Sequence, residues 1–169
     1  MAFLFLFLAC AAFEPIGVRE EKYGKSVPAI HQSFASTKLR PGDTWKIYLN
    51  ASDADGDLKS IICTVDHLSG GGSALRHIKI KEENRKELSG YIYWNTRSAY
   101  GVSFSNIKLT VQIEDMAGHL SAPVSFLLSL QQGYRQEDQP KDIFKDKDLG
   151  PILINLRRDP FLGYPEISG

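Results

Sequence analysis

From Val27 to Leu130 apolar side chains recur at every second position rather than every third or fourth, the period of half-buried strands. Trp45, Ile47, Leu49 and Ala51 alternate with Lys46, Tyr48 and Asn50. Ile61, Cys63 and Val65 fall on one face, and Ile78 and Ile80 alternate with His77, Lys79 and Lys81. Leu88, Ile92 and Trp94 share a face, with Tyr91 and Tyr93 on the other. Ile107, Leu109, Val111 and Ile113 alternate with Lys108, Thr110 and Gln112, and Val124, Phe126, Leu128 and Leu130 close the series. Each run has one face for a core and one for water, as antiparallel sheets do. A first strand is expected near Ala29 to Phe34.

Turn chemistry lies between the runs: Pro41-Gly42-Asp43, Asp55-Gly56-Asp57, Ser69-Gly70-Gly71-Gly72-Ser73, Ser89-Gly90 and Ala117-Gly118. Glycine supplies positive φ, and Asp side chains bond the backbone of their own turn. About seven short strands separated by such turns predict an all-β, antiparallel β-sandwich over residues 27–130. About twenty inward apolar side chains, at about 1.5–3 kcal/mol each on full burial, supply driving force enough for such a core. No stretch shows convincing helical periodicity.

Composition narrows the function classes. The 169 residues suit one domain plus tails. Twenty Lys and Arg balance twenty Asp and Glu, so no electrostatic footprint for nucleic acid is present. Two cysteines support neither a disulfide-stapled framework nor a cysteine-rich zinc module.

The ends read differently from the middle. Residues 1–10, MAFLFLFLAC, are apolar throughout and too short to span a bilayer, which takes about 20 residues. They resemble the apolar region of a secretory signal peptide, although no Lys or Arg occurs before Arg19, so the true start is open to lying upstream. Phe7-Leu8-Ala9-Cys10 resembles a bacterial lipobox, with Phe7 where Leu is usual. That resemblance implies acylation of Cys10 and a membrane anchor. A plain signal peptide and a cytosolic apolar start are the alternatives. Residues 11–26 read as a tether. Residues 131–169 form a polar extension, a linker at first, with an edge strand expected at 149–156 that docks on the domain itself or augments a partner's sheet.

Pro41 to Trp45, then Ala51-Ser52-Asp53-Ala54-Asp55-Gly56-Asp57-Leu58, then Glu114-Asp115-Met116-Ala117-Gly118-His119-Leu120-Ser121 resemble bacterial immunoglobulin-like surface domains of the cadherin and PKD-like kind. The family often has a D-x-D-G-D-L turn after strand B and a D-x-A-G-N-x-S turn before the last strand; His119 stands in the place of that Asn. The resemblance spans about residues 28–130. It implies an immunoglobulin-like sandwich, but not the antibody hallmark. Cys63 is the domain's one cysteine, and Trp45 falls on strand B rather than C.

In that topology the B–C and F–G loops share one end of the sandwich. Asp53, Asp55, Asp57, Glu114 and Asp115 are therefore candidate calcium ligands, since calcium takes six to eight oxygens. His119 lies beside them. The competing reading is turn chemistry alone. Tyr91 and Tyr93, projecting outward, are candidate ligand-binding residues for protein or carbohydrate, or a cross-strand pair that stabilises its sheet. No G-x-S-x-G elbow, P-loop or G-x-G-x-x-G occurs, so no enzyme and no cofactor are expected, calcium aside. The reading is a non-enzymatic binding or structural module of the bacterial cell envelope, a lipoprotein that meets an envelope protein or glycan. An accessory carbohydrate-binding module is the alternative, as is a periplasmic or secreted location.

Overall fold

The structure, a computed structural model, describes residues 14–68, 73–96 and 106–153. Among the described residues one α-helix, α1 (Ile16–Tyr23), precedes nine strands, with a 3-10 turn at Glu82–Asn84. They are β1 (Ala29–Ala35), β2 (Lys38–Leu39), β3 (Thr44–Ser52), β4 (Leu58–His67), β5 (Ser73–Lys79), β6 (Glu87–Asn95), β7 (Asn106–Asp115), β8 (Val124–Leu130) and β9 (Asp148–Pro151). The strands build a four-stranded sheet, β1-β3-β6-β9, and a five-stranded sheet, β2-β8-β7-β4-β5. Neighbours are antiparallel except β2 with β8 and β6 with β9.

This order is that of an immunoglobulin-like sandwich. β3 and β6 occupy the places of strands B and E, and β8, β7, β4 and β5 those of G, F, C and C′. β1 and β2 divide the first strand between the two sheets. The expected alternation sets the register. Trp45 opposes Trp94, Ile47 opposes Ile92, Ile61 opposes Ile113 and Cys63 opposes Val111. All of these face one buried cluster that also holds Leu39, Leu49, Leu58, Leu109 and Leu128. Trp45 takes its indole N–H into the core and donates it to the Ser36 carbonyl at 2.8 Å.

Three local expectations give way. Residues 11–26 were expected as a tether, yet Ile16–Tyr23 is helical. The helix buries no residue of its own, so no apolar stripe announces it; polar contacts to the sandwich hold it. Ser89-Gly90 is not a turn but the middle of β6. A Cβ on Gly90 would collide with the Lys147 carbonyl oxygen and crowd Leu149, so glycine here allows a second backbone to approach closely.

That second backbone is the polar extension, which is not a solvated linker. Asn50 Nδ2 donates to the Ile143 carbonyl at 2.8 Å, and the Lys145 N–H donates to Ser89 Oγ at 3.1 Å. Phe144 packs on Tyr48 with ring centroids 5.7 Å apart. β9 then pairs in parallel with β6 at the position of strand D, and the edge strand expected at 149–156 is observed at Asp148–Pro151. Ile152, 2% exposed, enters the main core. The 69–72 turn and Cys10 lie outside the described residues.

Candidate functional site

The inward row of β3, Trp45-Ile47-Leu49-Ala51, ends two residues later in Asp53, which is 3% exposed. The inward row of β7, Ile107-Leu109-Val111-Ile113, ends in Asp115, which is fully buried. Asp57, 8% exposed, stands just before β4. The B–C and F–G turns meet at one pole as the topology requires. One carboxylate oxygen from each of Asp53, Asp57 and Asp115 lies within 4.8 Å of the others.

Backbone donors hold each acid in place. Asp53 Oδ1 accepts the N–H groups of Asp55 and Gly56 at 2.7 and 3.2 Å. Asp57 Oδ2 accepts the Met116 N–H at 3.3 Å. Asp115 Oδ1 accepts the N–H groups of Gly118 and His119. Gly118 has φ of 97°, a left-handed conformation that glycine adopts without cost. Asp53 Oδ2 and Asp57 Oδ1 are buried with no hydrogen-bond partner. Burial, with Asp115 and Asp53 alongside, pushes the Asp57 carboxyl up to about 6.

The other two sequence candidates leave the group. Asp55 Oδ2 accepts the Ser26 N–H at 2.7 Å. Glu114 lies on the outward face of β7, where Lys59 Nζ and Ser60 Oγ both donate to it at 2.9 Å. Burial raises the Glu114 pKa, but the Lys59 and Ser60 contacts outweigh it and hold the carboxyl below the usual range. The alternation contained this separation: Asp53 and Asp115 extend buried rows, whereas Glu114 continues the wet row of Lys108, Thr110 and Gln112.

His119 joins the pole in a way the sequence did not show. Its Nδ1 lies 2.8 Å from Asp115 Oδ2 and its Nε2 lies 3.1 Å from Glu20 Oε1 on α1. A ring between two carboxylates donates from both nitrogens only as imidazolium. The Glu20 contact, then the Asp115 contact, raise its pKa. Arg19 of α1 lies against Gly118. Through Glu20, Arg19 and the bond from Ser26 to Asp55, the N-terminal segment is docked on the acidic pole.

Tyr91 and Tyr93 are half-buried beneath neighbours rather than presented as an open platform. Tyr48 meets Tyr91 edge-on with centroids 5.5 Å apart, and Lys46 Nζ sits 4.0 Å from the centre of the Tyr91 ring. Lys46 is in turn tied to Asp146 of the extension at 3.2 Å. A broad, open depression of about 740 Å³, lined by His31, Asn50, Ser52, Glu87, Lys145 and Lys147, includes none of these tyrosines. A small, partly open pocket beside Ile61 and Leu88 is about 10 Å³, the size of one water. Cys63 is fully buried, and burial pushes its thiol up to about 12, which suits packing rather than nucleophilic chemistry.

No family model matches the sequence, and no curated protein does. Solved structures with some likeness include a Paenibacillus sp. cycloisomaltooligosaccharide glucanotransferase complexed with cycloisomaltoheptaose, at 10% identity and TM-score 0.45. The match covers 64% of this chain but spans 15% of the glucanotransferase. A second is the PKD domain of an M14-like peptidase from Thermoplasmatales archaeon SCGC AB-540-F20, at 13% identity and TM-score 0.38, covering 64% of this chain and 98% of that one. A third is a chain from the complex of zinc 2-glycoprotein with prolactin inducible protein from human seminal plasma, at 9% identity and TM-score 0.35, covering 63% and 97%. The assignment of the immunoglobulin-like fold rests on the strand order given above.

Proposed function

We propose that this chain is a non-enzymatic binding or structural module of the bacterial cell envelope, anchored by lipid on Cys10 and presenting its sandwich to a protein partner. The observation that carries the proposal is the Phe7-Leu8-Ala9-Cys10 tetrad set close before a docked helix. Residues 11–15 alone separate Cys10 from α1. The six steps from Cys10 to Ile16 reach at most about 22 Å. An acyl chain on Cys10 therefore holds the acidic pole near the membrane and turns the opposite pole outward. The carbohydrate-binding alternative is less favoured, because the chain's own extension occupies the aromatic face it would use.

The test is labelling with palmitate in cells, followed by cross-linking and recovery of the tagged protein from the envelope fraction. Label is expected in the parent and absent in Cys10→Ser, with one dominant protein co-recovered. A parent that takes up no label, or a Cys10→Ser variant that keeps it, removes the anchor. Recovery of glycan alone removes the protein partner.

A further inference from the structure

We propose that the broad depression of about 740 Å³ docks an acidic, extended segment of the protein partner, an inference that rests on the partner reading above. Its floor is the outward face of β3 and β6 near one end, where Asn50 stands opposite Ser89 and Ser52 opposite Glu87. His31 of β1 lies 2.7 Å from Ser52 Oγ. Lys145 and Lys147 of the extension and Asn84 of the 3-10 turn complete the lining. The Lys147 carbonyl accepts the Tyr91 N–H, so the extension is the next neighbour beyond β6. With about 4.8 Å between neighbours, the trough from β1 to the extension runs about 15 Å, the length of about four extended residues.

The lining is rich in donors and positive on balance. Lys86, Lys145 and Lys147 stand against Glu83 and Glu87, in a chain of zero net charge. Lys46 and Lys59 are tied to Asp146 and Glu114 at 3.2 and 2.9 Å. Lys86 and Lys145, by contrast, pair with no acid among the described residues, and Lys147 stands 3.9 Å from Glu83. Asn84, 7% exposed, holds Lys147 Nζ on its Oδ1 at 2.7 Å. An asparagine whose oxygen is taken still offers its N–H groups. Ser89 Oγ accepts the Lys145 N–H at 3.1 Å, which leaves its own O–H to donate. Such a surface suits a ligand of acceptors, and a carboxylate is the strongest acceptor a protein segment carries. The lining has no Phe, Tyr or Trp, so the ligand is held by charge and hydrogen bonds rather than by stacking. An extended segment turns every second side chain toward the floor. Glu83 and Glu87 disfavour a dense run of charge, so acids at alternate positions fit best.

The test is fluorescence anisotropy of a short labelled peptide of alternating glutamate and serine, titrated with the full chain at about 20 mM and about 150 mM salt. Saturable binding is expected, weaker by about threefold or more at the higher salt, where exposed charges are screened over about 8 Å. Lys145→Glu and Lys86→Glu should each weaken it about tenfold, since each sets a like charge against the ligand. Both side chains are exposed, so both variants should melt as the parent does. Lys108→Glu, on the outward row of β7, is the control and should bind like the parent. No saturation overturns the proposal, as does binding untouched by Lys145→Glu and Lys86→Glu, or weakened equally by Lys108→Glu. Displacement of the peptide by sodium glucuronate at lower concentration than by sodium glutamate also overturns it and identifies a sugar acid instead. In cells, Lys145→Glu should cut recovery of the partner about tenfold while Cys10 keeps its label. Unchanged recovery overturns this docking site and leaves the partner standing. Glycan alone recovered with the parent removes the partner itself, and this occupant with it.

Discussion

Ile152 anchors the extension to the sandwich, and replacing it with Ala measures what that anchoring contributes. It is the one buried residue among the described positions of 131–153. Its side chain is 2% exposed in the core cluster, and its N–H donates to the Tyr93 carbonyl at 2.7 Å. Truncating a buried Ile to Ala costs about 2–5 kcal/mol, set by how far the site collapses around the void. Here collapse is easy, because the flanking segment peels away more readily than a central strand moves, so the lower half of the range applies. Peeling also forfeits the bond from the Tyr91 N–H to the Lys147 carbonyl at 2.8 Å, about 1 kcal/mol net. The sum is about 3 kcal/mol, or roughly 10 °C in Tm for a chain of this size. The assay is a thermal melt followed by near-ultraviolet circular dichroism, which reports the buried Trp45 and Trp94, with limited proteolysis across 131–147. Leu153→Ala is the control; at 71% exposure it should stay within about 0.5 kcal/mol of the parent. If the two variants melt within about 1 °C of each other, the extension is not an integral part of the fold.

The other predictions concern single groups. Gly90→Ala should destabilise by about 1–3 kcal/mol in a denaturant melt, because the new methyl displaces the Lys147 backbone; parent-like stability would mean the approach is looser than described. Glu114 has a depressed pKa in the folded protein, so its contribution is present above the ordinary carboxylate range and is lost as pH falls through the folded value. Melts from pH 6 to pH 3 should show the parent losing up to about 1 kcal/mol more than Glu114→Gln, since Lys59 is partly exposed. Equal losses would refute the assignment. Cys63 should resist an aromatic disulfide reagent in the native protein and react fully in denaturant, given its burial; rapid native labelling would contradict its place in the core.

The sandwich was legible in the sequence because one face of each strand must be apolar, and that constraint writes itself at every second residue from Trp45 to Leu130. The convergence of two acidic turns was legible from topology alone. The choice among five acids was also present, in the parity that makes Asp53 and Asp115 continuations of buried rows. The rest depended on contacts that local pattern does not encode. α1 is held by Glu20 on His119, 99 residues away in the chain, and has no apolar stripe. Residues 131–147 read as solvated because they bury polar and aromatic contacts on the back of β3 and β6, where Lys46, Tyr48, Asn50 and Tyr91 alternate as a wet face would. A tail that covers such a face has no reason to be apolar itself.

The parallel pairing of β9 also bears on self-association. An uncovered β6 would leave a nine-residue row of backbone donors and acceptors open to any passing strand. β9 pairs with the central Tyr91–Tyr93 of that row, and its last residue, Pro151, has no N–H to offer a further neighbour. The sheet thus ends in a strand that cannot readily template another. Shortening the chain before Asp148 would exchange a blunted border for a sticky one, and its first symptom in the test tube would be turbidity.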